Sequence, residues 1–322
     1  MEKIAILTSG GDSPGMNSCI RAVVRSAIYK GLKMVGIKRG FSGLIEEDVE
    51  ELCSHSVSGI IRQGGTVLKT ARSEAFKTVE GQKKAVETIK SLGIEGLIVI
   101  GGNGSLRGGY TLDRDWDIPV IGVPASIDND IAGTDFSIGC MTAVNTALEA
   151  IDRIRDTATS HNRLFIIEVM GRSSGFIALW AGLAGGAEDV LIPEMKTNLN
   201  EVCRKLEKGR LHGKSSSILI VAEGDKAGGA FEIGEKIKKK IGYEIRVVVL
   251  GHLQRGGSPV ALDRILATRL GSAAVDLLIK GERRKMVGLV SSQIKVSPIE
   301  YSWEGKKEID LSLYDFSQIM AI

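Results

Sequence analysis

The chain has 322 residues, of which 43% are hydrophobic and 25% are charged, a composition that excludes disordered, collagen-like and coiled-coil proteins. Its 42 basic and 39 acidic residues give a net charge of +3, which is too small and too evenly mixed to predict nucleic-acid binding. The apolar runs are shorter than the roughly 20 residues of a membrane span, and the opening segment lacks the zones of a signal peptide. We therefore expect no membrane association and a cytoplasmic location.

Short β-branched runs alternate with longer amphipathic stretches, a pattern that predicts an α/β fold with mainly parallel strands. The predicted strands are residues 4–7, 34–38, 96–100, 120–123, 164–169, 190–192, 217–222, 245–250 and 286–290. The predicted helices are residues 17–30, 80–91, 143–157, 199–208, 231–241 and 261–279. These nine predicted strands are more than we expect in a single sheet here. A length above about 250 residues also favours two domains. The segment 124–139 is the expected point of transition between them.

The chain is unusually rich in glycine, with 40 glycines and only six prolines. Glycine concentrates where the backbone turns sharply or approaches a ligand closely. Cysteines and histidines carry no comparable signal, since four of each are widely spaced and no CxxC pair occurs. We therefore expect neither a disulfide framework nor a zinc site.

Two glycine-rich segments each follow a predicted strand and lead into a helix, residues 8–17 and 101–105. Such turns present backbone N–H groups and a positive helix end to phosphate. A tight turn without a ligand explains either segment alone equally well, but two at one sheet edge favour a binding site. Neither segment fits GxGxxG, and no Walker A loop follows a strand.

Two further loops after predicted strands carry polar side chains. Residues 124–130 contain Asp128 and Asp130, which could supply a general base and a magnesium ligand, although an Asx-rich turn is the alternative. Residues 251–259 contain His252 and Arg255, and a guanidinium group suits a phosphate dianion, although a solvated arginine is the alternative.

Five motifs, in this order along the chain, resemble those of the bacterial ATP-dependent 6-phosphofructokinases: TSGGD at 8–12, GGNGS at 101–105, SIDND at 126–130, MGR at 170–172 and GHLQRGGSP at 251–259. The resemblance implies two Rossmann-like three-layer domains with mainly parallel sheets and an active site in the cleft between them. It implies a larger ATP-binding domain of residues 1–139 plus 254–304, and a smaller fructose 6-phosphate-binding domain of residues 140–253 plus 305–322. It also implies a homotetrameric glycolytic kinase that transfers the γ-phosphoryl group of ATP to the 1-hydroxyl of fructose 6-phosphate.

The resemblance also assigns the catalytic and sugar-binding residues. Asp128 would accept the proton of the sugar hydroxyl, and Arg172 would offset charge on the migrating phosphoryl group, a division that suits phosphoryl transfer. The resemblance also assigns three other residues to catalysis: Ser126, Gly11 and Arg72. His252 and Arg255 would hold the 6-phosphate, with Arg163 and Arg246 reaching in from a neighbouring subunit. The remaining sugar contacts are Ser126, Met170, Gly171 and Glu223.

On the nucleotide side, the resemblance assigns contacts with ATP to Gly11, Arg72, Ser73, Gly102, Asn103, Gly104, Ser105 and Gly108. Pyrophosphate-using relatives carry aspartate in place of Gly104 and lysine in place of Ala125, so small residues at both positions favour ATP. The magnesium ligands would be Asp130 and Asn103. Because the family usually has an acidic residue at position 103, we expect weaker magnesium binding here.

An effector site for ADP or phosphoenolpyruvate is implied less completely. Its matching residues are Arg21, Arg25, Arg155, Glu188 and Lys214. Ser54, Gly59 and Ser215 stand where the family commonly has arginine, aspartate and lysine, so we expect weakened or altered regulation.

Two other functions remain open at this point. One is a catalytically weak paralogue that binds sugar phosphate or nucleotide in a regulatory role, which Asn103 suggests. The other is a pyrophosphate-dependent phosphofructokinase.

Overall fold

The computed structural model describes residues 1–158, 163–214 and 216–321, which fold into two compact units. The first unit comprises Met1–Ser126, Asp130–Met141 and Arg255–Lys307. The second comprises the described residues of Ile127–Asn129, Thr142–Gln254 and Glu308–Ile322. The chain therefore passes between the units several times, first inside the loop that follows residue 126.

Strands and helices alternate through most of the described chain. The strands are β1 Lys3–Ser9, β2 Lys33–Ile37, β3 Val49–Leu52, β4 Leu97–Gly101, β5 Val120–Pro124, β6 Leu164–Val169, β7 Asp189–Leu191, β8 Ser217–Ala222, β9 Ile245–Val249, β10 Lys285–Val290 and β11 Gln293–Pro298. The helices are α1 Met16–Tyr29, α2 Gly40–Glu46, α3 Val79–Ser91, α4 Asn103–Trp116, α5 Cys140–Ala158, α6 Phe176–Ala184, α7 Leu199–Leu211, α8 Ala230–Ile241, α9 Ala261–Ile279, α10 Tyr301–Glu304 and α11 Leu311–Met320. None of the helices in the described ranges has the length and hydropathy needed to cross a bilayer.

The first unit is a three-layer sandwich around a seven-stranded sheet of order β11-β10-β5-β4-β1-β2-β3. Only the two edge strands, β3 and β11, run antiparallel to their neighbours. Successive residues of β1 point to opposite faces. Ile4 and Ile6 join a buried cluster with α1 and α9, whereas Ala5 and Leu7 join one with α2, α3 and α4. Apolar residues on both faces thus hold the central strands between two helical layers.

The second unit is built on a smaller, fully parallel sheet of order β7-β8-β6-β9. On one face, Leu164 and Ile166 of β6 pack in a buried cluster with α7 and α8. On the other face lies α6, where Gly182 comes close to Val190 of β7 and Ile220 of β8. Two mainly parallel sheets covered by helices confirm the predicted fold class.

Candidate active site

Three loops of the first unit leave the same edge of the large sheet side by side. Ser9 at the end of β1 is in register with Gly101 at the end of β4, and Gly101 is in register with Pro124 at the end of β5. The chain runs from β1 outward to β2 on one side, and later from β4 to β5 on the other. Open α/β sheets bind ligands where the strand order reverses in this way. The register confirms the prediction that the two glycine-rich loops share one edge.

The glycine-rich loops bring two helix N-termini to this edge. Gly10 follows β1 with φ of +86°, a left-handed conformation that favours glycine. A side chain there would also meet the hydroxyl of Ser105 at 3.1 Å. The loops continue directly into α1 and α4, whose first N–H groups lack intrahelical partners. The edge is therefore suited to bind an anion such as phosphate.

The predicted nucleotide-binding residues all lie in the first unit. They differ in their exposure and in their distance from this edge. Arg72 is exposed and Ser73 is half-buried, in a segment that passes the end of β1, where Thr8 Oγ1 donates to the carbonyl of Lys69 at 2.9 Å. Gly104 is exposed, and a Cβ at this position would meet no atom within 4 Å. The structure therefore leaves open space beside Gly104.

Gly108 lies one turn further along α4, against an aromatic pair that the sequence did not single out. A Cβ at Gly108 would come within 2.7 Å of the ring of Phe41, which stacks on Phe76 with centroids 4.2 Å apart. Both rings are nearly fully buried. The two phenylalanines are far apart in the sequence and belong to no motif, so the pair is recognised only from the packing.

The predicted magnesium residues lie together in the first unit. Asn103 Nδ2 donates to Asp130 Oδ2 at 3.4 Å, and Ser126 Oγ donates to Asp130 Oδ1 at 3.3 Å. Asn103 Oδ1 is buried and accepts no hydrogen bond from the described residues. Because Mg²⁺ prefers carboxylate and amide oxygens, this donor set fits a magnesium ion.

The second unit brings together Asp128, Arg172 and Glu223. Asp128 is 4% exposed, and its Oδ2 lies 3.6 Å from Arg172 Nε. The backbone N–H of Arg172 donates to Glu223 Oε1 at 3.0 Å. Arg172 and Glu223 follow neighbouring strands, since Val169 of β6 is in register with Ala222 of β8. A nearly buried carboxylate therefore faces a guanidinium group at the carboxyl edge of the small sheet.

A sharp turn after β6 sets the position of Arg172. Gly171 has φ of +148°, and a Cβ there would lie 2.2 Å from the carbonyl oxygen of Ser174. Arg172 itself has φ of 52°, a left-handed conformation that costs a non-glycine residue about 1 kcal/mol. Met170, at the start of the turn, is 8% exposed. Backbone strain of this kind accumulates at functional sites.

Two of the other predicted sugar-phosphate residues, Arg163 and Arg246, lie toward the opposite edge of the small sheet from this group. Arg163 precedes β6 and Arg246 is the second residue of β9, so both lie toward the amino ends of their strands. A strand of this length separates its two ends by roughly 20 Å. His252 is exposed in the 3-10 turn after β9, and Arg255 belongs to the first unit, where its Nη1 donates to the carbonyl of Asp12 at 3.1 Å.

Three predicted effector residues lie together in the second unit. Burial raises the pKa of Glu188, although the backbone N–H of Ile218 and the charges of Arg155 and Lys214 oppose that shift. Arg155 Nη2 donates to the carbonyls of Gly185 and Gly186 at 2.6 and 2.7 Å.

The two remaining predicted effector residues belong to the first unit. Arg21 and Arg25 lie one turn apart on α1 of the first unit. Ser54 and Gly59 are exposed, and Ser215 lies outside the described residues.

A family model described as phosphofructokinase matches residues 3–278 of this chain. The chain belongs to the phosphofructokinase family. It is 56% identical to an ATP-dependent 6-phosphofructokinase of Natranaerobius thermophilus and 52% identical to one of Shouchella clausii, with both chains covered over their full length.

Solved phosphofructokinase structures share the fold. A phosphofructokinase from Saccharomyces cerevisiae superposes with a TM-score of 0.91 at 34% identity, covering 94% of this chain and 45% of the yeast chain. This chain thus spans less than half of the yeast protein. A pyrophosphate-dependent phosphofructokinase from Marinobacter aquaeolei has a TM-score of 0.85 at 23% identity, covering 97% of this chain and 86% of the other, and shares the fold alone.

Proposed function

We propose that this chain is an ATP-dependent 6-phosphofructokinase, which transfers the γ-phosphoryl group of ATP to the 1-hydroxyl of fructose 6-phosphate. The observation that carries the proposal is the nearly buried carboxylate of Asp128, 3.6 Å from the guanidinium group of Arg172. The names of the full-length relatives, which are 51% to 56% identical, support the same activity. The reaction is a step of glycolysis, and we place it in the cytoplasm.

Asp128 is the general base in this proposal. A carboxylate in hydrogen-bond reach of the sugar hydroxyl accepts its proton as the oxygen attacks the terminal phosphorus. Arg172 stabilises the negative charge that the transferring group spreads over its oxygens. Glu223 accepts a hydrogen bond from the backbone N–H of Arg172 and so orients that turn. It also binds sugar hydroxyls together with Met170, Gly171 and Ser126.

The nucleotide binds at the edge where the glycine-rich loops meet. Gly11 and Arg72 contact its phosphates, and the further contacts are made by Ser73, Gly102, Asn103, Gly104, Ser105 and Gly108. The open space at Gly104 supports ATP as the donor, because it leaves room for the α-phosphate that pyrophosphate lacks. Ala125 is 1% exposed within an apolar cluster, which leaves no place for the lysine of pyrophosphate-using relatives.

Asp130 and the unpaired Oδ1 of Asn103 would hold Mg²⁺. When bound, the ion neutralises phosphate charge and helps to fix the orientation of the nucleotide. Of these two ligands, only Asp130 contributes a negative charge, so we expect the ion to bind weakly.

The 6-phosphate of the sugar is bound by His252 and Arg255, together with Arg163 and Arg246 of a neighbouring subunit. Supply from a neighbour accords with the position of both arginines near the amino edge, roughly 20 Å along the strands from Arg172. The active form in this proposal is a homotetramer, as the family resemblance implies. The effectors ADP or phosphoenolpyruvate bind through Arg21, Arg25, Arg155, Glu188 and Lys214.

The test is a coupled assay with fructose 6-phosphate and either Mg-ATP or Mg-pyrophosphate. Turnover with ATP alone is the expected result. Turnover with pyrophosphate alone would show that pyrophosphate, and not ATP, is the phosphoryl donor. Binding of fructose 6-phosphate without turnover by either donor would make the chain a binding paralogue and overturn the kinase assignment.

A further inference from the structure

Glu244 contacts both of the arginines that lie near the amino edge of the small sheet. Its Oε1 lies 3.0 Å from Arg163 Nε and 2.7 Å from Arg246 Nη2. The exposed fraction is 27% for the Arg163 side chain, 52% for Arg246 and 53% for Glu244. One oxygen therefore holds two cationic groups at the surface of the second unit.

The register of the sheet fixes this arrangement. Leu164 of β6 is paired with Ile245 of β9, and the backbone N–H of Leu164 donates to the carbonyl of Glu244 at 3.2 Å. Arg163 and Glu244 are thus neighbours across the two strands. Glu244 directly precedes β9 and Arg246 follows it by two residues, so in an extended chain both side chains point to the same side. The contact depends on the strands and not on a chance approach of two long side chains.

The charges of the group determine what Glu244 does. Two guanidinium groups repel each other when they are close, and a shared carboxylate removes that repulsion. The trio still carries a net charge of +1. Arg163 makes its contact through Nε, so its two terminal amino groups stay outside that contact and keep the geometry that suits a phosphate.

We infer that Glu244 is a positioning residue, which holds Arg163 and Arg246 together as a paired binding group for the phosphate of the sugar substrate. The inference rests on the proposed function, because the substrate is the one assigned there. Glu244 does not touch the substrate in this role and acts only through the two arginines.

The alternative is that Glu244 competes with the phosphate for the arginines. The two roles predict opposite changes in substrate affinity. In Glu244→Gln the amide cannot hold two cations by charge, so the KM for fructose 6-phosphate should rise about fivefold, as expected for the loss of two half-exposed ion pairs. The kcat and the KM for ATP should stay within about twofold of the parent, since neither involves these arginines. A lower KM for the sugar would mean that Glu244 competes, and would overturn the inference.

Three further variants separate positioning from a general structural effect. Glu244→Asp keeps the charge on a shorter side chain and should recover part of the affinity. Glu232→Gln, which removes the carboxylate of a similarly exposed ion pair with Lys236 on α8, is the matched control and should leave the KM unchanged. In a chain that already carries Arg163→Ala and Arg246→Ala, adding Glu244→Gln should raise the KM no further.

The outcomes distinguish this inference from the proposed function. If the parent protein turns over no fructose 6-phosphate with ATP, the proposed function fails first. If the parent is active and Glu244→Gln leaves the KM for the sugar unchanged, only the positioning role fails. An equal rise of the KM in the double-arginine background would also overturn it, because Glu244 would then act through other groups.

Discussion

Replacing Gly104 by aspartate is the sharpest test of the choice of phosphoryl donor. Gly104 is the second residue of α4, it is exposed, and a side chain there would meet no atom within 4 Å. The fold should therefore accept the change. A carboxylate in the first turn of a helix is favourable by about 0.3 to 1 kcal/mol, so no loss of stability is expected.

The effect on ATP follows from the distance between like charges. A carboxylate on Gly104 would lie on the order of 5 Å from a phosphate bound at this helix end. At that distance the repulsion is about 1 kcal/mol with the dielectric constant of water and about 3 kcal/mol at the value typical of protein surfaces. The KM for ATP should therefore rise roughly fivefold to 150-fold.

The measurement is a titration of ATP at saturating fructose 6-phosphate, with a melting curve for each protein. Gly104→Ala is the matched control, because it adds a methyl group without charge and should stabilise the helix by up to about 1 kcal/mol. An unchanged KM for ATP in Gly104→Asp would refute the proposed position of the α-phosphate. An equal rise in Gly104→Ala would show that bulk and not charge is responsible.

Three further predictions concern the base, the metal and the buried carboxylate near Arg155. In Asp128→Asn, kcat should fall about 10²- to 10⁴-fold, as expected for loss of a general base, with the KM for fructose 6-phosphate changed little; turnover at the parent rate would rule out this role. In Asn103→Asp, an added charge should lower the magnesium concentration that gives half-maximal activity, and an identical magnesium titration would contradict the assigned ligand. Burial raises the folded-state pKa of Glu188 above its usual 4.5, so the folded state binds more protons than the unfolded state between these two pKa values. The free energy of unfolding should therefore fall as the pH rises from 4.5 to the raised pKa. Glu188→Gln should remove this slope in urea titrations at stepped pH while keeping an acceptor for Ile218, and equal slopes in both proteins would contradict the assignment.

The central strands could be predicted from the sequence because both of their faces are buried. β6 and β8 have the predicted bounds, and each is almost entirely apolar. The edge strands β3 and β11 could not be predicted in the same way. Their sequences, VEEL and QIKVSP, carry exposed polar residues, and each becomes a strand by pairing with one neighbour.

Two of the helices that the sequence missed, α2 and α6, lack a clear amphipathic period. α6 reads FIALWAGLA and is apolar on nearly every side, so its spacing does not separate a helix from a buried strand. α2 has only seven residues, two of them glycines, and it ends at Glu47 in a left-handed conformation. Such short segments are held by packing against the rest of the unit and not by their own propensity.

The grouping of the glycine-rich loops was predictable because the carboxyl ends of parallel strands meet at one edge. The same reasoning could have placed Arg163 and Arg246 at the amino edge of the small sheet, since both stand near strand starts. The shared contact with Glu244 could not have been predicted, because it requires the register between β6 and β9. A single sequence carries no direct record of which residues of two distant strands are neighbours.

The loop after β5 joins the two units through very few peptide bonds. Ile127–Asn129 belongs to the second unit, whereas Ser126 and Asp130 belong to the first. A fully extended chain spans at most about 3.5 Å per residue, so the Cα atoms of Asp128 and Asp130 can never separate by more than roughly 7 Å. The loop is therefore a covalent tether, which keeps the proposed proton acceptor within this distance of the proposed magnesium ligand.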